Sequence, residues 1–316
     1  MKHTIILSAD GSHTLKLADF DECYHSSNGA YAEARHIYIK CGVEFLWKRL
    51  SEEKISEEKL SEEKLSGHKK EIAVYDIGLG TALNAIATLC WQEELLAKGA
   101  EVPHIHYNGI EKYPIDPQEA QKLNFPQHIA AYNTLQNTTQ NTTQNSSQKT
   151  TQNTTHNINA TQDIKTLDET LDAVKLGEMF MAIHNAEWEK DVEITPHFTL
   201  HKHRGDITTI DGEYFQSCTQ SSTQSDTNGN CSVKITHAVK ITHAVIFYDT
   251  FSPATQPQLW DVEIFRKIAR NVAQGSILTT YCSKGTVKQA LRDAGFKLER
   301  LAGPPGKRHI LRATFQ

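Results

Sequence analysis

Residues 74–84 read Val-Tyr-Asp-Ile-Gly-Leu-Gly-Thr-Ala-Leu-Asn, an apolar run that contains one acid and ends in two closely spaced glycines. This pattern predicts a buried strand that turns through a glycine loop into a helix, as at the first strand of an α/β sheet. Gly78 and Gly80 permit a tight turn and a close approach of the backbone to a ligand, because neither has a Cβ. The segment therefore predicts a ligand-binding loop, with a strand-turn-helix that binds nothing as the alternative.

The residues around this loop favour a positively charged ligand over a dinucleotide. In a G-x-G-x-x-G loop the third glycine would fall at Leu83, and helix amides would face a pyrophosphate. Asp76 instead places a carboxylate two residues before the first glycine, which suits a sulfonium or ammonium group. S-adenosylmethionine carries both groups. We expect five residues here to bind this cofactor: Asp76, Gly78, Gly80, Thr81 and Asn84.

Length and composition predict one domain with insertions. A chain of 316 residues with 38% hydrophobic residues can bury one large core or two modest ones. The apolar run at the N-terminus is too short for a signal peptide, and no later apolar run approaches the ~20 residues of a membrane span. We therefore expect a soluble, cytoplasmic protein without membrane contacts. The six cysteines form no C-x-x-C pair, which predicts reduced thiols.

Three low-complexity segments read as insertions. Residues 51–65 repeat Ser-Glu-Glu-Lys-Ile/Leu, which predicts a charged and mostly solvated helix. Residues at about 134–162 and 216–232 consist largely of Asn, Thr, Gln and Ser, and they lack the apolar side chains needed to offset the entropy of ordering. We predict that both are disordered. Residues 234–239 are duplicated at 240–245, and we favour the second copy as the lead into a strand.

Outside these segments, strand-like runs alternate with amphipathic helical stretches, which predicts a parallel sheet with ligands at its carboxyl edge. Three later strands end on or run into an acid, at Glu111, Asp206 and Asp249. Glu111 is placed to accept hydrogen bonds from ribose hydroxyls, and Lys112 beside it is assigned to the cofactor as well. Asp206 suits an adenine amino group, and Asp249 lies beside the reacting centre. Each acid could instead cap a following helix.

Residues 249–260 read Asp-Thr-Phe-Ser-Pro-Ala-Thr-Gln-Pro-Gln-Leu-Trp. This run resembles the Asp-x-Phe-x-Pro-x-x-x-Pro-x-x-Trp signature of the methyltransferase domain of the tRNA-modifying enzyme MnmC. The resemblance spans most of the chain outside the three insertions. It is also carried by residues 20–24, 28–29 with 33–35, 78–84, 110–114 and 295–308.

The resemblance implies a class I S-adenosylmethionine-dependent methyltransferase with a Rossmann-like, mostly parallel seven-stranded sheet flanked by helices. It implies N-methylation of 5-aminomethyl-uridine, commonly 2-thiolated, at the tRNA wobble position. Bifunctional relatives carry a second, flavin-dependent oxidase domain, and this chain ends at Gln316. We therefore expect a stand-alone methyltransferase without FAD. Residues 1–70 would form an N-terminal extension with substrate-side elements and the charged helix, and residues 71–316 the methyltransferase domain.

Methyl transfer from a sulfonium to an amine is an in-line displacement that needs no metal and gains most of its acceleration from positioning. We expect Asp249 to orient the amine and accept its proton, and Phe251 to stack on the flipped-out uracil. Tyr24, Arg35 and Pro253 match family positions that would line the substrate pocket. Packing or capping is the alternative role for each of these side chains.

The charge distribution bears on the partner. The formal net charge of −5 argues against nucleic acid, but residues 266–316 contain 11 Lys or Arg against 2 Asp or Glu. A basic region of this kind is an electrostatic footprint for phosphate, here a tRNA anticodon stem-loop. A solvated surface without a ligand is the alternative. The candidate contacts are Lys284, Lys288, Arg292, Lys307 and Arg308.

Some positions depart from the family pattern. Ala82 occupies a loop position that is usually glycine, Pro304 and Pro305 replace a segment with an aromatic residue, and Gln289 stands where arginine is common. These departures put the choice of tRNA in doubt more than cofactor binding.

Two further questions stay open from the sequence. His197, His201 and His203 could suggest a metal site, but no acid or cysteine lies nearby in ligand spacing, so we expect no metal. The loop and fold also do not specify the acceptor. A methyltransferase for a small-molecule amine and a catalytically silent RNA-binding homologue are the two alternative functions.

Overall fold

An eight-stranded sheet forms the centre of the protein. The computed structural model describes residues 3–17, 22–58, 71–135, 172–210, 214, 223–225, 231–233 and 243–316. Twelve strands are described: β1 (His3–Leu7), β2 (His13–Leu17), β3 (Glu71–Ile77), β4 (His104–Glu111), β5 (Asp191–Thr195), β6 (Phe198–Arg204), β7 (Thr223–Ser225), β8 (Cys231–Val233), β9 (Ala244–Tyr248), β10 (Ile277–Thr280), β11 (Phe296–Ala302) and β12 (His309–Phe315). All of them except β1, β2, β7 and β8 belong to the eight-stranded sheet.

Helices cover the sheet, and none of those described is long and apolar enough to cross a membrane. The α-helices are α1 (Ala30–Ala34), α2 (Glu44–Glu58), α3 (Leu83–Ala97), α4 (Pro117–Ala120), α5 (125–135), α6 (Ala173–Asn185), α7 (Val262–Asn271) and α8 (Gly285–Asp293). A π-helical segment, Arg35–Val43, joins α1 to α2, and a 3₁₀ turn covers Pro257–Trp260.

The strand order is β11-β12-β10-β9-β3-β4-β6-β5. The five central strands from β10 to β6 pair in parallel, and both edges are antiparallel. The sheet therefore matches the predicted parallel α/β type but has one strand more than the seven expected. The additional strand is β5, which folds back on β6 as a hairpin with Asp191 opposite His201.

Alternation along β3 separates two apolar cores. Val74 packs in the core beneath the π-helical segment and α3, whereas Tyr75 packs in the core beneath α7 and α8. Successive side chains of a strand point to opposite faces, so a run that is buried throughout indicates a strand covered on both sides. All residues of β3 from Ile72 to Ile77 are buried, and this burial explains the continuous apolar run in the sequence.

The π-helical segment lies directly on the sheet. Gly42 faces β9, and a Cβ on it would come within 3.2 Å of Val245 Cγ1 and 3.3 Å of Phe247 Cε1. A glycine at this point allows the helix backbone to pack against the strand. The sequence carries no signal for π-helical geometry, because hydrophobic periodicity does not distinguish it over so short a run.

The predicted insertions fall mainly outside the described residues. Of the charged helix at 51–65, residues up to Glu58 are helical in α2. Of the segment at 134–162, only 134 and 135 are described, at the end of α5. Within 216–232, β7 pairs antiparallel with the start of β8, so these few residues differ from the predicted disorder. The domain division stays a prediction.

The duplicated motif enters the sheet as expected. The second copy runs into β9, and the amide of Ala73 donates to the carbonyl of His243 just before that strand. The first copy, at 234–239, lies outside the described residues. Cys41, Cys90 and Cys282 are free thiols, in agreement with the predicted reduced state.

Candidate functional site

A cavity of about 390 Å³ opens at the carboxyl ends of β3, β4, β6 and β9. This volume lies within the range of small-molecule sites. Both the predicted site residues and residues from the N-terminal segment line it. The lining includes Glu22, Tyr24, Glu33, Gly78, Gly80, Glu111, Lys112, Asp206, Asp249, Phe251, Tyr281 and Lys307.

The glycine loop forms the floor of the cavity in a conformation that requires glycine. Gly78 has φ +98° and Gly80 has φ +51°. A Cβ on Gly78 would lie 2.7 Å from the carbonyl oxygen of Asp249. The loop and the end of β9 therefore touch through their backbones, and the amide of Asp249 also donates to the carbonyl of Ile77 at 3.2 Å.

Glu111 ties this loop to the end of β4. Its Oε2 accepts from the amide of Gly80 at 2.9 Å, and its Oε1 accepts from the amide of Tyr113 at 2.7 Å. Burial raises the pKa of Glu111, although these amide hydrogen bonds oppose the shift. Each carboxylate oxygen can accept more than one hydrogen bond, so the predicted ribose contact is compatible with this arrangement.

Asp206 and Lys112 form an ion pair at the rim, with 2.9 Å between Lys112 Nζ and Asp206 Oδ2. The other oxygen of Asp206 accepts from the amide and the hydroxyl of Thr208 at 2.9 and 2.8 Å. Burial opposes ionisation, but these hydrogen bonds and Lys112 hold the pKa of Asp206 below its usual value. An ionised acceptor therefore stands at the cavity edge, where an adenine amino group was predicted.

Asp249 lines the cavity at the end of β9. Its Oδ2 accepts from the side-chain amide of Asn84 at 2.9 Å. Burial raises the pKa of Asp249 to about 6, against the lowering effect of this hydrogen bond. The carboxylate is thus a fixed acceptor whose pKa lies closer to neutrality than that of an ordinary aspartate.

Two aromatic rings stand beside this carboxylate. Tyr24 and Phe251 meet edge to face, with centroids 5.4 Å apart. The carbonyl of Phe251 accepts from the indole of Trp260 at 2.8 Å, and the carbonyl of Thr250 accepts from the hydroxyl of Tyr281 at 2.9 Å. These bonds explain why the loop after β9 holds Phe251 at the cavity.

The lining also contains residues that the sequence predictions did not assign to the site, among them Glu22, Glu33 and Tyr281. Glu22 accepts from the amide of Ser252 at 3.0 Å and so fastens the N-terminal segment to the loop after β9. Glu33 pairs with Lys307, whose ammonium lies 5.3 Å from the ring centroid of Tyr281. Glu22 and Glu33 stand in the segments that resemble the family, so a signal for them was present.

Three predicted cofactor residues lie beneath the cavity rather than on it: Asp76, Thr81 and Asn84. Asp76 is fully buried within β3, where its Oδ2 accepts from the hydroxyl of Tyr107 at 2.7 Å. Thr81 Oγ1 contacts His25 Nε2 at 2.5 Å, and Asn84 holds Asp249. The contact of Asp76 with the ligand stays a prediction; the cavity lining begins with Ile77, the last residue of β3.

Four predicted substrate residues also lie outside the lining. Arg35 pairs with Glu94 of α3, and its place in the substrate pocket stays a prediction. Pro253 is half-buried in the loop after β9. Lys284 and Arg308 are exposed on the surface, and Lys307 alone of the five predicted basic contacts lines the cavity.

The histidines have neighbours that sequence spacing did not reveal. Glu189 Oε2 lies 3.1 Å from His203 Nδ1, and Asp191 Oδ1 lies 2.7 Å from His201 Nδ1. The expectation of no metal was based on the lack of a nearby acid. The structure places two acids beside these histidines, Glu189 just before β5 and Asp191 at the start of β5.

Ala82 adopts the conformation that its usual glycine would favour. It caps α3 with φ 57° and is fully buried. We expect Ala82→Gly to change the free energy of unfolding by less than about 1 kcal/mol, because relief of left-handed strain offsets backbone entropy and a lost methyl contact. Ala82→Val should destabilise by about 2 kcal/mol or more, because it adds branching and volume in the same conformation. Urea unfolding of both variants measures this difference, and a fully tolerated Val would contradict it.

Comparison with known proteins identifies the relationship. The family described as S-adenosyl-L-methionine-dependent methyltransferase matches residues 227–316. Two curated relatives are each 23% identical over 314 residues, which is 99% of this chain and 35% of theirs. Both are tRNA 5-methylaminomethyl-2-thiouridine biosynthesis bifunctional proteins MnmC, from Burkholderia pseudomallei (strain K96243) and Burkholderia mallei (strain NCTC 10229). The chain resembles the methyltransferase part of MnmC.

A solved structure supports the fold of this MnmC-like chain. MNMC2 from Aquifex aeolicus is 17% identical, with a TM-score of 0.56, and the match covers 100% of this chain and 71% of that one. The predicted resemblance and class I methyltransferase fold are confirmed, and S-adenosylmethionine is the cofactor indicated. The chain spans about a third of the length of the curated relatives it matches, as the 35% coverage shows.

Proposed function

We propose that this chain methylates the amine of 5-aminomethyl-uridine at the tRNA wobble position, giving 5-methylaminomethyl-(2-thio)uridine. The observation that carries the proposal is Asp249, a carboxylate on the cavity whose pKa is raised to about 6 and whose position is held by Asn84. The names of the MnmC relatives support the same reaction. With tRNA as substrate, the protein would act in the cytoplasm.

The cavity fits S-adenosylmethionine. Gly78 and Gly80 line the cavity with backbone alone, Glu111 has acceptor capacity for ribose hydroxyls, and Asp206 is an ionised acceptor for the adenine amino group. When bound, S-adenosylmethionine supplies a methyl group activated by its sulfonium.

Asp249 is the group that handles the substrate proton. With that methyl group added through its lone pair, the substrate nitrogen would carry a positive charge and one proton to lose. The carboxylate of Asp249 orients the amine by accepting a hydrogen bond and then accepts the proton that the nitrogen loses. Asn84 keeps the carboxylate in place for this transfer.

The cavity also offers surfaces for an extruded base and for the tRNA backbone. Phe251 and Tyr24 present two aromatic rings that meet edge to face, and recognition of flipped bases commonly uses stacking on aromatic rings. Lys307 stands at the cavity, while Lys284, Arg292 and Arg308 are exposed on the same basic C-terminal part of the chain. Phosphates of the anticodon stem-loop would contact these exposed groups.

The decisive experiment is transfer of labelled methyl from S-adenosylmethionine to tRNA purified from cells that lack this gene, followed by nucleoside mass analysis. We expect a new 5-methylaminomethyl-uridine species, with or without the 2-thio group. The matched control is tRNA whose wobble uridine lacks the aminomethyl group, which should accept no label.

Two results would contradict the proposal. Labelling of free amines without labelling of tRNA would indicate a small-molecule methyltransferase. Binding of both tRNA and S-adenosylmethionine without any transfer would indicate a catalytically silent homologue.

A further inference from the structure

A cluster of histidines and acids lies at the β5–β6 edge of the sheet, apart from the cavity lining. His201 and His203 alternate along β6 and so project from the same face. Lys202 between them is buried on the opposite face, where its Nζ donates to the carbonyl of His184 at 2.8 Å. The two imidazole rings lie side by side, with centroids 4.1 Å apart and an interplanar angle of 24°.

Glu189 completes a set of three metal-ligand side chains. Glu189, His201 and His203 each offer one ligating atom, and these atoms lie within 4.8 Å of one another. Ligands on a tetrahedral Zn²⁺ ion at 2.0–2.2 Å are separated by about 3.4 Å, so shifts of about an ångström would bring all three onto one ion. Two imidazoles and a carboxylate suit zinc and similar divalent transition metals.

The backbone at Glu189 is unusual. This residue has φ 59°, a left-handed conformation that is uncommon for a residue other than glycine and that costs about 1–2 kcal/mol. Its amide donates to the carbonyl of Lys202 at 2.8 Å, and its Oε1 accepts from the amide of Arg204 at 2.7 Å. These bonds fix Glu189 across from β6 and leave Oε2 facing His203 at 3.1 Å.

Asp191 supports His201 from the neighbouring strand. Its Oδ1 lies 2.7 Å from His201 Nδ1. A carboxylate hydrogen-bonded to one ring nitrogen orients a metal-binding histidine and directs the other nitrogen to the ion. The side chains of Glu189 and Asp191 are 57% and 50% exposed, so an ion from solution can reach the cluster.

We propose that Glu189, His201 and His203 bind one divalent transition-metal ion of the Zn²⁺ class, with Asp191 orienting His201. Three protein ligands leave one tetrahedral position for water. The ion would tie the residue before β5 to β6 and so fasten the antiparallel edge strand to the sheet. The site does not depend on the proposed methyl transfer, because it lies outside the cavity.

The test is titration of the full chain with Zn²⁺ after removal of any affinity tag and of bound metal, because the chain already has 16 histidines. Calorimetry should show one ion per chain, and Zn²⁺ should raise the melting temperature. The double variant His201→Gln/His203→Gln should lose at least 100-fold in affinity, and Glu189→Gln about tenfold. Co²⁺ substitution should give an absorption spectrum typical of nitrogen and oxygen ligands.

The matched control is His104→Gln/His106→Gln. These residues have the same spacing on β4, with ring centroids 4.6 Å apart, and Glu71 Oε2 lies 3.6 Å from His106 Nε2. Among the residues described, however, these three do not bring one ligand atom each to within 4.8 Å of the others, as Glu189, His201 and His203 do. This control should bind Zn²⁺ as the unmodified chain does. Absence of stoichiometric binding, unchanged binding in the His201/His203 variant, or an equal loss in the control would each overturn the proposal. Circular dichroism checks that each variant folds. If the double variant does not fold, the Zn²⁺ affinity of the exposed Glu189→Gln variant tests the proposal instead.

Discussion

Asp249→Asn will lower methyl transfer by about 10²–10⁴-fold, the range that general acid–base groups contribute, while the chain stays folded. Asparagine keeps the shape of the side chain and an oxygen that can accept from Asn84, but it cannot take up a proton. The melting temperature should be unchanged or higher, because burial disfavours the ionised carboxylate that the substitution removes. Single-turnover transfer and S-adenosylmethionine binding, measured separately, test this expectation.

The pH dependence of methyl transfer should report the ionisation of Asp249. Because burial raises the pKa of Asp249 to about 6, the ionised base is present above that pH and is lost as the pH falls through it. The decline in kcat/KM should therefore steepen below about pH 6, rather than near 4 as for an ordinary aspartate, and this steepening should be absent from the residual activity of Asp249→Asn.

A matched control separates the base from a general effect of charge. Asp116 is exposed and caps α4 by accepting from the amide of Gln118 at 2.7 Å. Asp116→Asn makes the same chemical change and keeps the cap, because asparagine caps helices about as well. This variant should retain full activity. Undiminished transfer by Asp249→Asn would remove Asp249 from the mechanism.

Gly78→Ala will destabilise the chain by about 3 kcal/mol and abolish measurable S-adenosylmethionine binding, because two costs add. The first is a side chain at φ +98°. The second is a Cβ placed 2.7 Å from the carbonyl oxygen of Asp249, a backbone atom that cannot rotate away. Either the loop or the end of β9 must move, and both form the cavity. Chemical denaturation and equilibrium binding measure the two effects.

Gly177→Ala is the matched control for this substitution. Gly177 lies within α6, and a Cβ there would meet no atom within 4 Å. Alanine in a helix interior is favoured over glycine by about 0.5–1 kcal/mol, so this variant should be as stable as the unmodified chain or more so. A Gly78→Ala variant that matched it in stability and cofactor binding would show that the loop is not held against β9.

Local patterns predicted the parts of the site that lie on one strand and the turn after it. Gly78, Glu111 and Asp206 were recognisable because each follows a strand-like run at the carboxyl edge of a parallel sheet. Asp76, which was predicted to contact the ligand, lies outside the cavity lining, and a run that is buried throughout does not show at which residue the strand ends. A shift of one or two positions moves a side chain from the cavity to the layer below it.

Contacts between distant segments were not predictable in this way. Glu33 meets Lys307 and Glu22 meets the loop after β9 across more than two hundred residues, and no periodicity encodes such pairs. The pairing of Arg35 with Glu94, which lies on another helix, was not predictable for the same reason. The approach of Glu189 to the β6 histidines depends on an antiparallel hairpin that the sequence predictions lacked.

Burial of β9 has a consequence for how the chain finds its native register. All five residues of this strand are buried, and it pairs with β3 on one side and β10 on the other. The six residues at 234–239 are identical to those at 240–245. A slip by six residues is even, so it would preserve which side chains face each layer. Alternation alone therefore does not distinguish the two copies.

The residues that follow each copy make the distinction. The second copy is followed by the buried residues Ile246, Phe247 and Tyr248, whereas the first copy is followed by Lys240. In the slipped register Lys240 would take the place of Ile246 in the centre of the sheet, and the slip would bring no acidic side chain to pair with it. The slip would also carry Asp249 about 20 Å from the glycine loop, at ~3.3 Å per residue. A chain trapped in that register could retain most of its secondary structure and have no base. The specific activity of a preparation would then depend on the fraction of molecules that folded with the second copy leading into β9.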